Sequence, residues 1–241
     1  MQLTDFKALT FDCYGTLIDW ESGIITGLST LTARLEQPLT RDQILEAHAR
    51  HESYQQVVTP ELPYNQLLQV VYKRLAEEWG IRYSWDEAVA YGHSIRDWPA
   101  FPDSASTLQY LKKYFKLVIL SNVDNESFKA SNARLAVEFD AIVTAEDVGA
   151  YKPSRRTFEY LFDVLSSIGV KSGETLHIAD SIYHDHQPAQ QLGLRSCWIH
   201  RRFEQRGFGA TLRTLVEPSV AFKFTSMAQL VKAHHEQLSN G

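Results

Sequence analysis

The chain has 241 residues, of which 44% are apolar and 22% charged, and its formal net charge is -5. That length suits one large domain, or a core with an insertion, and either buries a substantial apolar interior. The acidic balance gives no general attraction to nucleic acid or to an anionic membrane, although a locally positive site could still take a small anionic substrate. No stretch approaches the roughly 18 to 20 consecutive apolar residues that span a bilayer. The first seven residues contain no basic stretch leading into a long apolar run, so a cytoplasmic location is expected. Two cysteines, Cys13 and Cys197, make no disulfide framework and have no zinc-site spacing; both are expected to be buried reduced thiols.

The first element is the run Ala8-Leu9-Thr10-Phe11, followed at once by Asp12-Cys13-Tyr14-Gly15-Thr16-Leu17. Apolar residues ending in a carboxylate and a glycine read as a buried strand entering a polar turn. Ligands of open parallel sheets sit at such strand ends. Asp12 is therefore placed for a nucleophile, or, taken alone, for a turn or helix cap.

Helical spacing follows. Ile24, Ile25, Leu28, Leu31 and Leu35 recur every three or four residues until Gln37-Pro38. Thr40 and Gln43 form a capping box for the next helix. A third helix is predicted over 64–79, stopped by Gly80, and a fourth over 84–93, opened by Ser84 and Glu87. The passage Trp98-Pro99-Ala100-Phe101-Pro102 is rigid and aromatic. Residues 19–97 thus read as a helical insertion between the first strand and the rest of the chain.

Beyond residue 103, strands and helices alternate, the signature of a parallel sheet covered on both faces. Strands are predicted over 116–120, 141–144, 175–178, 196–199 and 220–224. Helices are predicted over 104–113, 126–136, 155–168, after Asp185, and over 227–238. The basic and glycine-containing stretch 201–214 reads as an exposed loop.

Three strand ends and one turn carry the chemistry: Asp12; Ser121 with Asn122; Lys152 in Tyr151-Lys152-Pro153; and Asp180, with Asp185 five residues on. An ionised Asp12 could attack an electrophile and divide one displacement into two. Lys152 would keep it ionised and steady a bound anion. The turn from Cys13 to Thr16, with Ser121 and Asn122, offers donors to that anion. Asp180 and Asp185 could hold Lys152, position water, or bind Mg²⁺ together with Asp12, since that ion takes oxygen ligands. Asp185 could equally cap the next helix.

This quartet, in this order, resembles the four motifs of the haloacid dehalogenase superfamily, over nearly the whole chain. The resemblance implies a Rossmann-like three-layer α/β/α core over 1–18 and 98–241, with 19–97 as a helical cap closing on the active site. Tyr14 separates branches. Superfamily phosphatases mostly carry there a second Asp that protonates the leaving alkoxide, whereas Asp-x-Tyr-Gly-Thr resembles the L-2-haloacid dehalogenases. In those enzymes the aspartate displaces halide from the α-carbon of a small anionic substrate, no metal is required, and the protein dimerises. Three departures stand against this. Phe158 occupies the place of a tyrosine; Asp180 and Ile182 replace a serine and an asparagine; and the cap arginine that holds the halide has only His48 or Arg50 as counterparts. The fourth motif thus resembles that of a Mg²⁺-dependent phosphatase, in which Asp12, Tyr14 and Asp180 would hold the ion. A catalytically weak metabolite-binding protein on the same fold is the third alternative.

Overall fold

A computed structural model describes residues 1–214 and 217–239. Residues 215, 216, 240 and 241, within the range assigned above to the core, lie outside the described residues. Among the described residues six strands form one sheet: β1 (Ala8–Phe11), β2 (Lys116–Ser121), β3 (Ala141–Thr144), β4 (Thr175–Ala179), β5 (Arg195–Ile199) and β6 (Phe222–Phe224). Their order is β3-β2-β1-β4-β5-β6 and every pairing is parallel. This is the α/β architecture expected from the alternating pattern.

The sheet alternates as a two-sided core requires. Leu9 and Phe11 of β1, Leu117 and Ile119 of β2, and Leu176 and Ile178 of β4 pack into one apolar cluster. Ala8, Val118 and Leu120 face a second cluster with Phe158, Leu161 and Leu165. Both clusters are buried, which is why the strands read as near-continuous apolar runs. Strand β1 lies between β2 and β4, so successive connections leave it in opposite directions. The crevice at its carboxyl end is the topological switch point where such sheets bind ligands. Asp12 follows Phe11, which registers with Ile119 on one side and Ile178 on the other.

Between β1 and the sheet's next strand, the chain forms α1 (Trp20–Gly27), α2 (Ser29–Thr32), α3 (Arg41–Val58), α4 (Tyr64–Glu78) and α5 (Trp85–His93). The predicted capping boxes are present: Thr40 with Gln43 opens α3, and Ser84 with Glu87 opens α5. Helix α4 buries Leu67, Leu68, Val71, Tyr72 and Leu75 at helical spacing. Gly80, at φ +67, ends it in the left-handed conformation that the stop signal predicts. Gly23 on α1 is needed for close approach, because a Cβ there would lie 2.2 Å from the Trp98 ring.

The remaining helices are α6 (Ser104–Leu111), α7 (Asn125–Leu135), α8 (Ala145–Val148), α9 (Arg155–Ser167), α10 (Gln187–Gln191) and α11 (Met227–Ser239). Cys13 and Cys197 are buried free thiols, as expected. Among the described residues no helix is long and apolar enough to cross a membrane.

One expectation is corrected. The stretch 201–214 is not merely an exposed loop, because its two leading arginines join separate parts of the chain. Arg201 makes a two-pronged bond to Asp103 (2.9 and 3.0 Å) and donates to the Thr16 carbonyl. Arg202 bridges Glu21 of α1 (2.6 Å) and Asp42 of α3 (2.8 Å), and Glu21 also accepts the Ala210 N–H. Basic composition predicted solvation; the carboxylates that claim these arginines come from distant segments.

Candidate active site

The turn after β1 positions the first carboxylate. Gly15, at φ +93, donates its N–H to the Ile18 carbonyl and closes the turn beneath Trp20. Thr16 is thereby folded back, and its hydroxyl donates to Asp12 Oδ2 at 2.7 Å while accepting the Asp180 N–H at 2.9 Å. One threonine thus fixes the first and fourth strand ends relative to each other.

Lys152 is almost fully buried, and its ammonium places all three hydrogens. It donates to Asp12 Oδ1 at 2.8 Å, to Asp185 Oδ1 at 2.7 Å and to the Leu120 carbonyl at 3.0 Å. The backbone of Lys152 is held by Asn122, whose side chain accepts the Lys152 N–H (2.7 Å) and donates to its carbonyl (3.1 Å). Asn122 therefore acts on the lysine's backbone as well as lining the cavity.

Asp185 belongs to a wide turn, Ile182–His186, that leads into α10. His177 Nε2 lies 2.9 Å from Asp185 Oδ1, and His177 Nδ1 lies 2.8 Å from the Thr10 hydroxyl. An ionised carboxylate only accepts, so Nε2 carries a proton and donates to Asp185. Phe158 packs edge-on against this imidazole at 5.8 Å. Burial acts to raise the Asp185 carboxyl, but Lys152 and His177 outweigh it and hold the group below the usual carboxylate range. At Asp12 burial prevails over the opposing pull of Lys152 and Thr16, and the carboxyl rises. Burial works against the ammonium of Lys152, yet the two carboxylates raise its pKa. The site therefore holds one cation shared by two carboxylates of unequal strength.

These groups open on a small cavity lined by Asp12, Lys152, Asp185, Asn122, Glu52 and Tyr64, among others. Ser121 Oγ, Asp185 Oδ2 and His184 Nε2 are buried with no hydrogen-bond partner among the described residues. An orphaned buried polar group costs about 1–3 kcal/mol, so three around one strand-end crevice mark a place for a polar ligand. His184 is neutral there, since burial lowers it to about 4.

The sequence-predicted residues divide into two groups. Asp12, Thr16, Lys152 and Asp185 are joined by direct hydrogen bonds, with Ser121 and Asn122 at the adjoining strand end. Cys13 is fully buried in the core cluster, so its side chain is not a ligand donor, and only its backbone faces the turn. Tyr14 lines the cavity with its ring, but its hydroxyl bonds to Ser131 Oγ of α7 at 2.7 Å. Asp180 instead lines the neighbouring cleft with Arg201 and Arg202, where its Oδ1 accepts the Arg201 N–H at 2.9 Å.

Of the set predicted for Mg²⁺, Asp12 bonds to Lys152 and Thr16, the Tyr14 hydroxyl to Ser131, and Asp180 Oδ1 to the Arg201 N–H. Both Asp12 oxygens are engaged by Lys152 and Thr16, and no three His, Cys, Asp or Glu side chains converge on a metal position among the described residues. Neither counterpart of a halide-binding arginine is in place. Arg50 is 57% exposed and paired with Glu78, and His48 is buried, neutral and driven down to about 3 by burial.

Glu52, Tyr64, Thr10 and His177 were not singled out from the sequence as site residues. Thr10 and His177 register directly across β1 and β4, a polar pair legible only once that register is known. Glu52 continues the buried stripe of α3 formed by Ile44, Leu45, His48 and Gln55, a helical spacing that was available.

Comparison with known proteins identifies the family. A family model described as haloacid dehalogenase-like hydrolase matches residues 6–193. The (S)-2-haloacid dehalogenase of Pseudomonas sp. (strain YL) is 27% identical over 208 residues, covering 83% of this chain and 87% of that protein. The HAD-hydrolase YfnB of Bacillus subtilis (strain 168) is 25% identical over 202 residues, covering 81% and 84%. In fold, the L-2-haloacid dehalogenase of Xanthobacter autotrophicus, solved with chloropropionic acid covalently bound, superposes with a TM-score of 0.76 at 17% identity, covering 94% of this chain and 97% of that one. The chain belongs to the haloacid dehalogenase-like hydrolases.

Proposed function

We propose that this hydrolase removes halide from a short 2-haloacid through an ester on Asp12, with residues 19–97 acting as its cap. The observation that carries the reading is the engagement of Tyr14. Two positions after the nucleophile, where an alkyl phosphatase needs an acid, stands a phenol bonded to α7 and lifted well above its ordinary pKa by burial. A halide leaves without a proton, so the missing acid does not hinder it. The small cavity and the dehalogenase relatives support the same reading.

In the first step an Asp12 oxygen forms a bond to the α-carbon as the carbon–halogen bond breaks, and its electron pair leaves on the halide. Lys152 keeps the attacking carboxylate ionised and oriented. In the second step a water attacks the Asp12 carbonyl carbon. Asp185, ionised and with Oδ2 free, accepts that water's hydrogen bond and receives its proton. The ester then opens at the carbonyl carbon, and the departing 2-hydroxyacid oxygen takes the proton back. Asp12, left as the acid with the water's second hydrogen, releases that proton to solvent and is regenerated as carboxylate, and the product hydroxyl carries an original Asp12 oxygen.

A single turnover in ¹⁸O-water tests this. Label is expected in the Asp12-containing peptide and absent from the first equivalent of hydroxyacid. Label in the product alone would show direct attack by water and sink the ester.

A further inference from the structure

Helix α3 brings Glu52 to the cavity that Asp12 and Lys152 also line. The residue is 3% exposed, and Oε1 accepts the Tyr64 hydroxyl of α4 at 2.6 Å. Oε2 has no hydrogen bond among the described residues; His48 Nδ1, at 3.8 Å, is beyond bonding distance. The carboxyl is thus fixed at one oxygen and open at the other.

The leaving group needs a hydrogen-bond donor, and among the described residues no uncommitted cation lines the cavity to supply one. Lys152 has spent its hydrogens on Asp12, Asp185 and Leu120. Among the described residues no other Lys or Arg lines the cavity, and His184 there is neutral. An anion that departs into this space must be met by neutral donors. We propose that protonated Glu52, fixed by Tyr64, donates its Oε2–H to the departing halide and is a catalytic residue of the dehalogenation. As Asp12 bonds to carbon, the electron pair of the broken bond passes to halogen, which accepts the Glu52 hydrogen bond; the proton stays on Glu52. This rests on the dehalogenase reading.

Burial lifts Glu52 to about 7. The groups facing it are His48 on its own helix, Tyr64 of α4, Tyr91 of α5 and Tyr151, with Asp12, Lys152, His184 and Asp185 across the cavity. His48 and His184 are neutral above pH 5, and the three phenols are raised beyond their ordinary range. Ionised Glu52 would oppose both the halide and a carboxylate substrate.

The test measures halide release from pH 5.5 to 9 with the full-length wild type, Glu52→Gln and Glu52→Ala. Glutamine keeps a donor but cannot ionise. Glu52→Gln is expected to retain at least about a tenth of wild-type kcat at pH 6.5 and to lose the alkaline decline near neutrality. Glu52→Ala is expected to lose roughly 10²- to 10³-fold in kcat, the size of one missing transition-state donor, with a smaller change in KM. An alkaline decline that persists in Glu52→Gln, or a Glu52→Ala kcat within threefold of wild type, would overturn the assignment of Glu52 alone. Absence of halide release by the wild type would overturn the underlying reading as well.

Discussion

The Tyr14 hydroxyl and Ser131 Oγ stand 2.7 Å apart, which ties the residue two places after Asp12 to helix α7. The same phenol packs edge-on against Trp98 at 5.7 Å. Tyr14 is therefore a wall of the cavity, with its one polar atom committed elsewhere.

Removing that hydroxyl should leave chemistry nearly intact. Tyr14→Phe is expected to keep halide release within about threefold of wild type and to lose about 1 kcal/mol of stability, the net worth of one hydrogen bond. Initial rates and urea unfolding measure both. A hundredfold loss of rate in a folded variant would mean that the phenol serves as an acid after all.

Lys152 neutralises two buried carboxylates, so its removal strands both. Lys152→Met should abolish turnover and destabilise the protein by about 3–5 kcal/mol, as when one partner of a buried ion pair is deleted. For a chain of this size that corresponds to a fall in Tm on the order of 10 °C. A melting curve near that of wild type would show that Asp12 and Asp185 do not depend on the lysine for burial.

Glu52 ties stability to pH. Its carboxyl titrates near 7 in the folded chain against an ordinary 4.5, so between those values the folded state binds more protons than the unfolded one. Stability must then decline as pH rises from 4.5 to 7, and level off above. A shift of that size corresponds to about 3 kcal/mol. Relative to wild type, Glu52→Gln should gain that amount between pH 4 and pH 8. Urea unfolding at the two pH values gives the difference; a gap that does not change with pH would refute the buried acid.

The strand ends were legible because a doubly wound sheet writes them plainly. Asp12, Ser121 and Asp180 each close or follow a buried apolar run, and the helix caps at Thr40 and Ser84 are local patterns that need no tertiary knowledge. What was hidden depends on partners far along the chain. The basic pair Arg201 and Arg202 read as solvated because Asp103, Glu21 and Asp42 are remote in sequence. Asp180 read as a companion of Asp12, yet its side chain is drawn aside by the Arg201 N–H. Glu52 sits on the buried stripe of α3, which marks it as interior, but its partner Tyr64 comes from α4 and is not legible from that spacing.

The most direct measurement is halide release from a panel of short 2-haloacids, with and without EDTA, using Asp12→Asn as the blank. The account predicts release by the wild type that survives EDTA and disappears in Asp12→Asn. No release from any member by the folded wild type, with Mg²⁺-dependent hydrolysis of an alkyl phosphate in its place, would contradict it.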